Sequence, residues 1–132
     1  MSDQAIADDE VLYRRIPPGS NWFEPPERIT SANFKLRRGE DGLSVYRQRV
    51  VGAADVLKKR GAIVGSRVAQ ATAGQIRAAR DTKGDPLHLD VVVVGDMDDP
   101  GHAEIRGPIL GKLSAGAPRA LQRLFRLAER IS

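Results

Sequence analysis

The sequence predicts a single small α+β domain, in which a mainly antiparallel sheet carries a C-terminal amphipathic helix and a proline-rich N-terminal arm. Three observations lead to this prediction. The chain has 132 residues, which is the usual length of one domain. Short segments with strand-like alternation are separated by turns that contain glycine and proline, which favours antiparallel strands. The C-terminal segment has the apolar spacing of a packing helix.

The N-terminal part of the chain is expected to be irregular. Residues 1–10 are polar and acidic without a hydrophobic period, so we expect a disordered tail followed by one domain over residues 11–132. The next segment contains four prolines within fourteen positions, which favours an extended arm on the surface. This arm carries Trp22 and Phe23, which either fill a gap in the domain's own core or anchor a partner.

A β-hairpin is predicted in the first half of the chain. Residues 33–37 alternate between apolar and polar side chains, and residues 43–51 are rich in β-branched and aromatic residues. Residues 38–42 between them include an Asp-Gly pair, which is a favoured hairpin turn. A short helix over residues 53–60 is expected next, with Gly61 as its C-cap.

Two further strands and a second short helix are predicted in the middle of the chain. Residues 64–76 fit either a strand or an alanine-rich helix, and we favour a strand followed by a helix over residues 75–80. Residues 87–94 include four consecutive valines, which indicates burial on both faces and hence a central strand. An acidic loop follows, and residues 102–106 continue as one more strand.

A long amphipathic helix is predicted from Pro118 to the end of the chain. Apolar residues recur there at steps of three and four, the spacing of a helix that packs on a core. Arginines recur at the same spacing and would form a continuous stripe beside the apolar face. The arginines of this stripe are Arg119, Arg123, Arg126 and Arg130.

Composition disfavours several classes of protein. Hydrophobic residues make up 41% and charged residues 29% of the chain, which is unlike a disordered or fibrous protein. The longest aliphatic run, beginning at Val91, is far shorter than the ~20 residues of a membrane span. The acidic start does not look like a secretory signal, so we expect a soluble cytoplasmic protein. Cysteine is absent, which excludes disulfides, thiolate zinc sites and cysteine nucleophiles.

The distribution of charge suggests an acidic partner or an internal match. The net charge is +4, from 21 basic and 17 acidic residues. Basic residues concentrate in residues 35–84 and 108–132, on either side of an acidic stretch over residues 85–107. This pattern fits binding to a nucleic acid or to an acidic protein. Attraction between the acidic and basic parts of the same chain explains it equally well.

Several motifs resemble a family of small uncharacterised bacterial proteins. The similarity includes an Arg-Ile-Pro-Pro start at Arg15, a Leu-Ser-Val strand at Leu43 and a Pro-x-His-Ala-x-Ile-x-Gly element at Pro100, although Thr30 stands where the family has serine. It covers residues 13–107. The resemblance implies a bacterial source and a small operon component, in the setting of genome conflict or phage defence. It implies no activity and supplies no catalytic residues.

Two histidine-carboxylate pairs are the chemically suggestive motifs. On adjacent strands, each pair would place its imidazole and carboxylate on one face, and the four groups could bind a divalent metal. The two histidines alone could also act as the acid and base of a metal-independent ribonuclease. Structural hydrogen bonding near turns explains the same residues. The four residues are His88, Asp90, His102 and Glu104.

Other motifs of known chemistry are missing, and a basic surface is the remaining alternative. No phosphate loop, dinucleotide fingerprint, hydrolase elbow or zincin motif occurs, so no cofactor is predicted and a non-enzymatic protein is favoured. The predicted hairpin carries cations that could contact phosphates, but only Tyr46 supplies an aromatic ring for base stacking. These cations are Lys35, Arg37, Arg38, Arg47 and Arg49.

The sequence therefore predicts a protein–protein interaction module, whose partner is another protein encoded nearby. A basic nucleic-acid-binding protein and a ribonuclease using His88 and His102 remain as alternatives. The residues predicted to bind the partner are the two aromatics of the arm and the arginine stripe, because aromatic and arginine side chains dominate the energetics of interfaces. They are Trp22, Phe23, Arg119, Arg123, Arg126 and Arg130.

Overall fold

The computed structural model describes residues 6–19, 21–24, 28–36, 40, 42–59, 63–95, 97–109 and 112–128. Its strands are β1 (Val11–Ile16), β2 (Phe23–Glu24), β3 (Arg28–Ile29), β4 (Leu43–Arg47), β5 (Arg67–Thr72), β6 (Asp90–Val93), β7 (His102–Arg106) and β8 (Arg126–Leu127). Its α-helices are α1 (Ala53–Val56), α2 (Ala73–Arg77) and α3 (Ala117–Leu124), and a 3₁₀ helix covers Ser31–Phe34. None of the helices in these ranges has the length and apolar character needed to cross a membrane.

Six of the strands form one antiparallel sheet in the order β6-β7-β4-β1-β5-β8, and β2 and β3 form a separate ribbon. Near the middle of this sheet, Tyr13 of β1 lies opposite Tyr46 of β4 and Gln70 of β5. The predicted α+β class, with a mainly antiparallel sheet and a helix packed on it near the C-terminus, is confirmed.

Side chains alternate between the two faces of the sheet, and each face has its own apolar cluster. The main core lies on the face that α3 and the 3₁₀ helix cover, and Phe34 packs there against Phe125 with 5.1 Å between ring centroids. The opposite face carries a smaller cluster, to which α1 contributes Val56. Strand residues of the main core include Leu12, Ile16, Leu43, Val45 and Ile105, all fully buried.

The predicted strand over residues 33–37 is wrong, because Ser31–Phe34 forms a 3₁₀ helix. The side-chain amide of Asn33 donates to the carbonyl oxygens of Trp22, at 2.9 Å, and Thr30, at 3.1 Å, and this closes a tight turn. Phe34 is thereby placed in the core. The partners of β4 are β1 and β7, so the predicted hairpin does not form.

The two short helices lie close to their predicted positions. α1 falls within the predicted range but ends at Val56, and Arg60 and Gly61 lie outside the described residues. The predicted order of a strand and then a helix is confirmed by β5 and α2. Thr72 begins α2 with a capping box, in which its side chain accepts from the Gln75 N–H and the Gln75 side chain accepts from the Thr72 N–H.

The valine-rich strand β6 lies at an edge of the sheet and not at its centre, which corrects the prediction. Helix α2 packs against it. Asp90 at the start of β6 pairs with Arg77 of α2 at 2.9 Å, and its carboxylate also accepts from the Val91 N–H. A charged, covered edge strand can keep its valines partly buried without a second strand neighbour.

The C-terminal helix is shorter than predicted. α3 ends at Leu124, and Phe125 adopts an extended conformation with φ −75° and ψ 133°. Arg126 and Leu127 then form β8 against β5, and the Ala128 N–H donates to the Val68 carbonyl at 2.8 Å. The chain leaves the helix here because the open edge of β5 offers backbone partners, which a periodicity argument does not detect.

Residues 6–10 fold against the domain, so the expected disordered tail is corrected for this part; residues 1–5 lie outside the described residues. Ile6 is buried in the main core. The N–H groups of Ala73 and Gly74 donate to the carbonyls of Glu10, at 2.9 Å, and Asp8, at 2.8 Å. The segment is therefore held by burial and by backbone hydrogen bonds together.

Candidate functional site

Four exposed arginines line two adjoining grooves between α3, β3 and β8, which we call the arginine grooves. The larger groove has a volume of about 420 Å³ and is lined by Arg28, Arg123, Arg126, Gln122, Ile29, Phe125 and Leu127. The smaller has a volume of about 280 Å³ and is lined by Arg28, Arg119, Arg123, Gln122, Glu24, Thr30 and Ser31. Because Arg28, Gln122 and Arg123 line both, the grooves form one continuous surface.

Local packing explains why these arginines point outward. Ala120 and Leu121 of α3 are buried in the main core, so Arg119 and Arg123, one helical turn apart, lie side by side on the exposed face. The Gln122 side chain donates to the Ile29 carbonyl oxygen at 2.9 Å. This bond joins α3 to β3, which brings the neighbouring Arg28 to the groove.

The charge of the arginine grooves is not balanced within the part of the chain that the structure describes. None of the four arginines makes a salt bridge or a side-chain hydrogen bond there, and Glu24 is the acidic residue among the described lining residues. Cations at such short range repel one another and attract anions. The surface is therefore electrostatically complementary to an acidic ligand.

Three cations elsewhere in the fold, Arg47, Arg77 and Lys59, are paired with carboxylates. The hydrogen bond from Arg47 to Glu10 raises the pKa of the guanidinium, and hydrogen bonds to Asp90 and Asp8 raise the pKa of Arg77. The hydrogen bond to Asp99 likewise raises the pKa of Lys59. These charges have internal counterions, which distinguishes them from the groove arginines.

The structure brings three residues of the predicted arginine stripe together. Arg119 and Arg123 stand on α3, but Arg126 reaches the groove from β8, and Arg130 lies outside the described residues. Sequence reasoning missed Arg28. Arg28 lies close to the arginines of α3 because Gln122 is hydrogen-bonded to Ile29, and these two residues are 93 positions apart in the chain. No local sequence pattern indicates such a contact.

The two aromatics of the arm are partly used inside the protein. Trp22 and Phe23 are half-buried and pack against the main core. This agrees with the expectation that they fill a gap there. Their role in binding a partner stays a prediction, and neither ring lines the arginine grooves.

The described cations that were predicted to contact nucleic acid do not lie together on a β-hairpin. Arg47 is buried against Glu10, which is incompatible with a phosphate contact and corrects its assignment. Lys35 is exposed, and the Arg49 side chain is 65% exposed. Arg37 and Arg38 lie outside the described residues.

The register of β6 and β7 separates the two histidine motifs. Asp90 lies opposite Arg106, which is four residues, or about 13 Å, from His102 along the strand. His88 precedes β6 and is exposed, and Glu104 pairs with Arg106 at 2.8 Å. Among the described residues no group of three or more histidine or carboxylate side chains could hold a metal. The predicted clusters of His88, Asp90, His102 and Glu104 therefore do not form.

Comparison with known proteins gives no relative from which a function could be inferred. No family model matches the chain, and neither a curated protein nor a solved structure matches it. The resemblance described from the motifs therefore stays a prediction.

Proposed function

We propose that this protein binds an acidic segment of another protein in the arginine grooves. The observation that carries the proposal is the group Arg28, Arg119, Arg123 and Arg126, which is exposed and has no carboxylate partner among the described residues. A guanidinium group pairs with a carboxylate through two parallel hydrogen bonds, so this group favours aspartate and glutamate side chains.

The apolar part of the larger groove supports a peptide as the ligand. Ile29 and Phe125 are nearly buried beneath the arginines, and Leu127 is half-buried beside them. Leu127 therefore supplies most of the accessible apolar surface, which one apolar side chain of an acidic segment would contact while its carboxylates meet the guanidinium groups. Such a centre, apolar and surrounded by polar contacts, is the usual anatomy of a protein interface.

Nucleic acid fits this surface less well. Non-specific binding of single strands uses exposed aromatic rings on which bases stack. Phe125 is 3% exposed, so the larger groove offers edges and aliphatic groups but no open ring face. Guanidinium groups alone would still attract phosphates, and the experiment must therefore compare the two ligands directly.

The proposal is tested by fluorescence anisotropy with two defined probes at 150 mM salt. One probe is a fluorescein-labelled peptide of twelve residues with alternating glutamate and leucine, and the other is an oligothymidylate of equal charge. The variant Arg119→Gln/Arg123→Gln/Arg126→Gln removes three groove charges. The control Arg49→Gln/Lys58→Gln/Lys83→Gln removes the same charge from exposed positions elsewhere.

We expect the groove variant to weaken peptide binding at least tenfold and the control to change it less than twofold. Equal weakening by both variants would show that only net charge matters and would overturn the proposal. Tighter binding of the oligonucleotide, with displacement of the peptide, would instead support the nucleic-acid alternative.

A further inference from the structure

Ser44 and His102 lie on the face of the sheet opposite the main core, and Asp99 lies beside His102 in the loop before β7. The Nε2 atom of His102 is 3.1 Å from the Ser44 hydroxyl oxygen, which is a hydrogen bond. The Nδ1 atom of His102 is 3.9 Å from an oxygen of Asp99. A hydroxyl, an imidazole and a carboxylate in this order are the parts of an activated serine nucleophile.

The strand register places the serine and the histidine together. Ser44 lies opposite Glu104, and Tyr46 lies opposite His102, so Ser44 and His102 are diagonal neighbours on one face. Side chains at diagonal positions of an antiparallel pair are within reach of each other. This contact was not predicted, because the pairing of β4 with β7 is absent from the sequence pattern.

A tight turn places the carboxylate. Gly101 has a φ of +88°, and an added Cβ there would lie 2.5 Å from a methyl group of Val51, so only glycine fits. The turn brings the His102 N–H back to the Asp99 carbonyl oxygen at 3.3 Å. The Asp99 carboxylate is thereby held beside the imidazole that follows it by three residues.

Asp99 is positioned by a second contact. Its Oδ1 atom accepts a hydrogen bond from Lys59 at 2.7 Å, and Oδ2 is the atom nearest the His102 imidazole. The distance of 3.9 Å is that of an ion pair and is longer than a hydrogen bond, and catalytic hydrogen bonds in unliganded sites commonly shorten when substrate binds. Burial raises the pKa of Tyr46, whose ring lies 5.7 Å from the imidazole, so its phenol stays uncharged beside His102.

A polar pocket of about 220 Å³ opens beside Ser44. It is lined by Ser44, Tyr46, Arg14, Arg15, Lys35 and Glu40, with Trp22 and Asn33 among the others. Three cations and one carboxylate give the lining a net positive charge. The pocket shares no residue with the arginine grooves, so the two surfaces are independent.

We propose that Ser44 is a nucleophile for acyl transfer, with His102 as its base, and that the pocket takes small esters bearing a negative charge. The Ser44 oxygen forms a bond to the carbonyl carbon while His102 accepts the hydroxyl proton. The carbon–oxygen bond to the alcohol then breaks, and His102 gives that proton to the leaving alkoxide. Water, deprotonated by His102, releases the acid in the same way and restores the Ser44 hydroxyl. Asp99 acts as a positioning residue for His102.

Covalent labelling tests this site without knowledge of the natural substrate. The purified full-length protein is treated with a fluorophosphonate, and the added mass is located by peptide mapping. Hydrolysis of the 4-nitrophenyl monoester of succinic acid is compared with that of 4-nitrophenyl acetate. The variants are Ser44→Ala, His102→Asn, His102→Gln, Asp99→Asn and Asp99→Glu, each checked for folding by its urea midpoint. His88→Asn is the matched histidine control, and Lys59→Gln removes the hydrogen bond from Lys59 to Asp99.

We expect one phosphonate on Ser44, none in Ser44→Ala, and labelling at least a hundredfold slower in both His102 variants, because general base catalysis contributes about 10²–10⁴-fold. Asp99→Asn should slow labelling about tenfold, Asp99→Glu should restore part of the rate, and His88→Asn should not change it. The succinate ester should be preferred. Absence of a label on Ser44, or an unchanged rate in a folded His102 variant, would overturn the proposal. An unchanged labelling rate in a folded Asp99→Asn variant would overturn the role of Asp99, whereas Lys59→Gln should slow labelling no more than Asp99→Asn because the carboxylate remains in place.

Discussion

Glu10 and Arg47 form an ion pair inside the protein, with side-chain exposures of 5% and 8%. Arg47 donates from both its Nε and its Nη2 atoms to the carboxylate, the second bond measuring 2.9 Å. We predict that Glu10→Gln lowers the free energy of unfolding by about 3–5 kcal/mol, because it leaves a buried guanidinium without a counterion. Urea denaturation measures this change.

The matched control for this prediction is Arg49→Gln. The Arg49 side chain is 65% exposed and lies 3.8 Å from Glu10, so its loss should cost less than about 1 kcal/mol. A loss below about 1 kcal/mol for Glu10→Gln as well would contradict the prediction, since it would mean that the Arg47 charge is solvated in the folded state.

The packing of helix α3 on the core depends more on Leu121 than on the other leucines near it. Leu121 is fully buried in the main core, whereas Leu124 is partly buried and Leu127 belongs to β8. We predict that Leu121→Ala costs about 2–5 kcal/mol of stability and that Leu124→Ala costs clearly less, because the cost follows the buried volume that is removed. Thermal and urea unfolding of the two variants decide this. Equal losses would contradict the prediction, because they would mean that Leu124 is as deeply buried as Leu121.

At the scale of the whole molecule, the segment before β1 packs against the main core and α2. Ile6 is 4% exposed, and Asp8 accepts a backbone hydrogen bond from Gly74 and pairs with Arg77 at 2.7 Å. Deleting residues 2–9 should therefore lower the free energy of unfolding by about 2–5 kcal/mol, most of it from the buried isoleucine. The urea midpoint of the deletion is compared with that of Ile6→Ala in the full chain. An unchanged midpoint in both would show that the segment does not contribute to stability.

Much of the secondary structure follows from the sequence alone. The strands β4, β5, β6 and β7 and the helices α1, α2 and α3 lie in segments predicted as strands and helices, whereas β1 lies in the N-terminal part that was expected to be irregular. The antiparallel α+β class could be inferred from the strand-like alternation and the final apolar spacing. Local preferences were sufficient here because they act over a few neighbouring residues.

Only the tertiary structure decided the elements that depend on distant partners. The alternation in residues 33–37 is compatible with a strand, but hydrogen bonds of Asn33 to Trp22 and Thr30 favour a 3₁₀ helix. The end of α3 depends on the edge of β5, and the edge position of β6 depends on strand pairing with β7 and on its contact with α2. Such contacts join residues that are far apart in the chain, so a short stretch of sequence cannot show how much they stabilise the fold.

Some features of the candidate sites were also predictable from the sequence, and others became visible only in the tertiary structure. The spacing of Arg119, Arg123 and Arg126 along the chain already indicated a cationic surface, because residues three and four apart share a helix face. The addition of Arg28 required the contact between α3 and β3, and the burial of Arg47 required its encounter with Glu10. Ser44 and His102 became neighbours only through the register of β4 and β7. The sequence determined which charged and nucleophilic groups the chain carries, and long-range strand pairing decided which of them meet, because a register depends on the total burial of the sheet and not on any single residue.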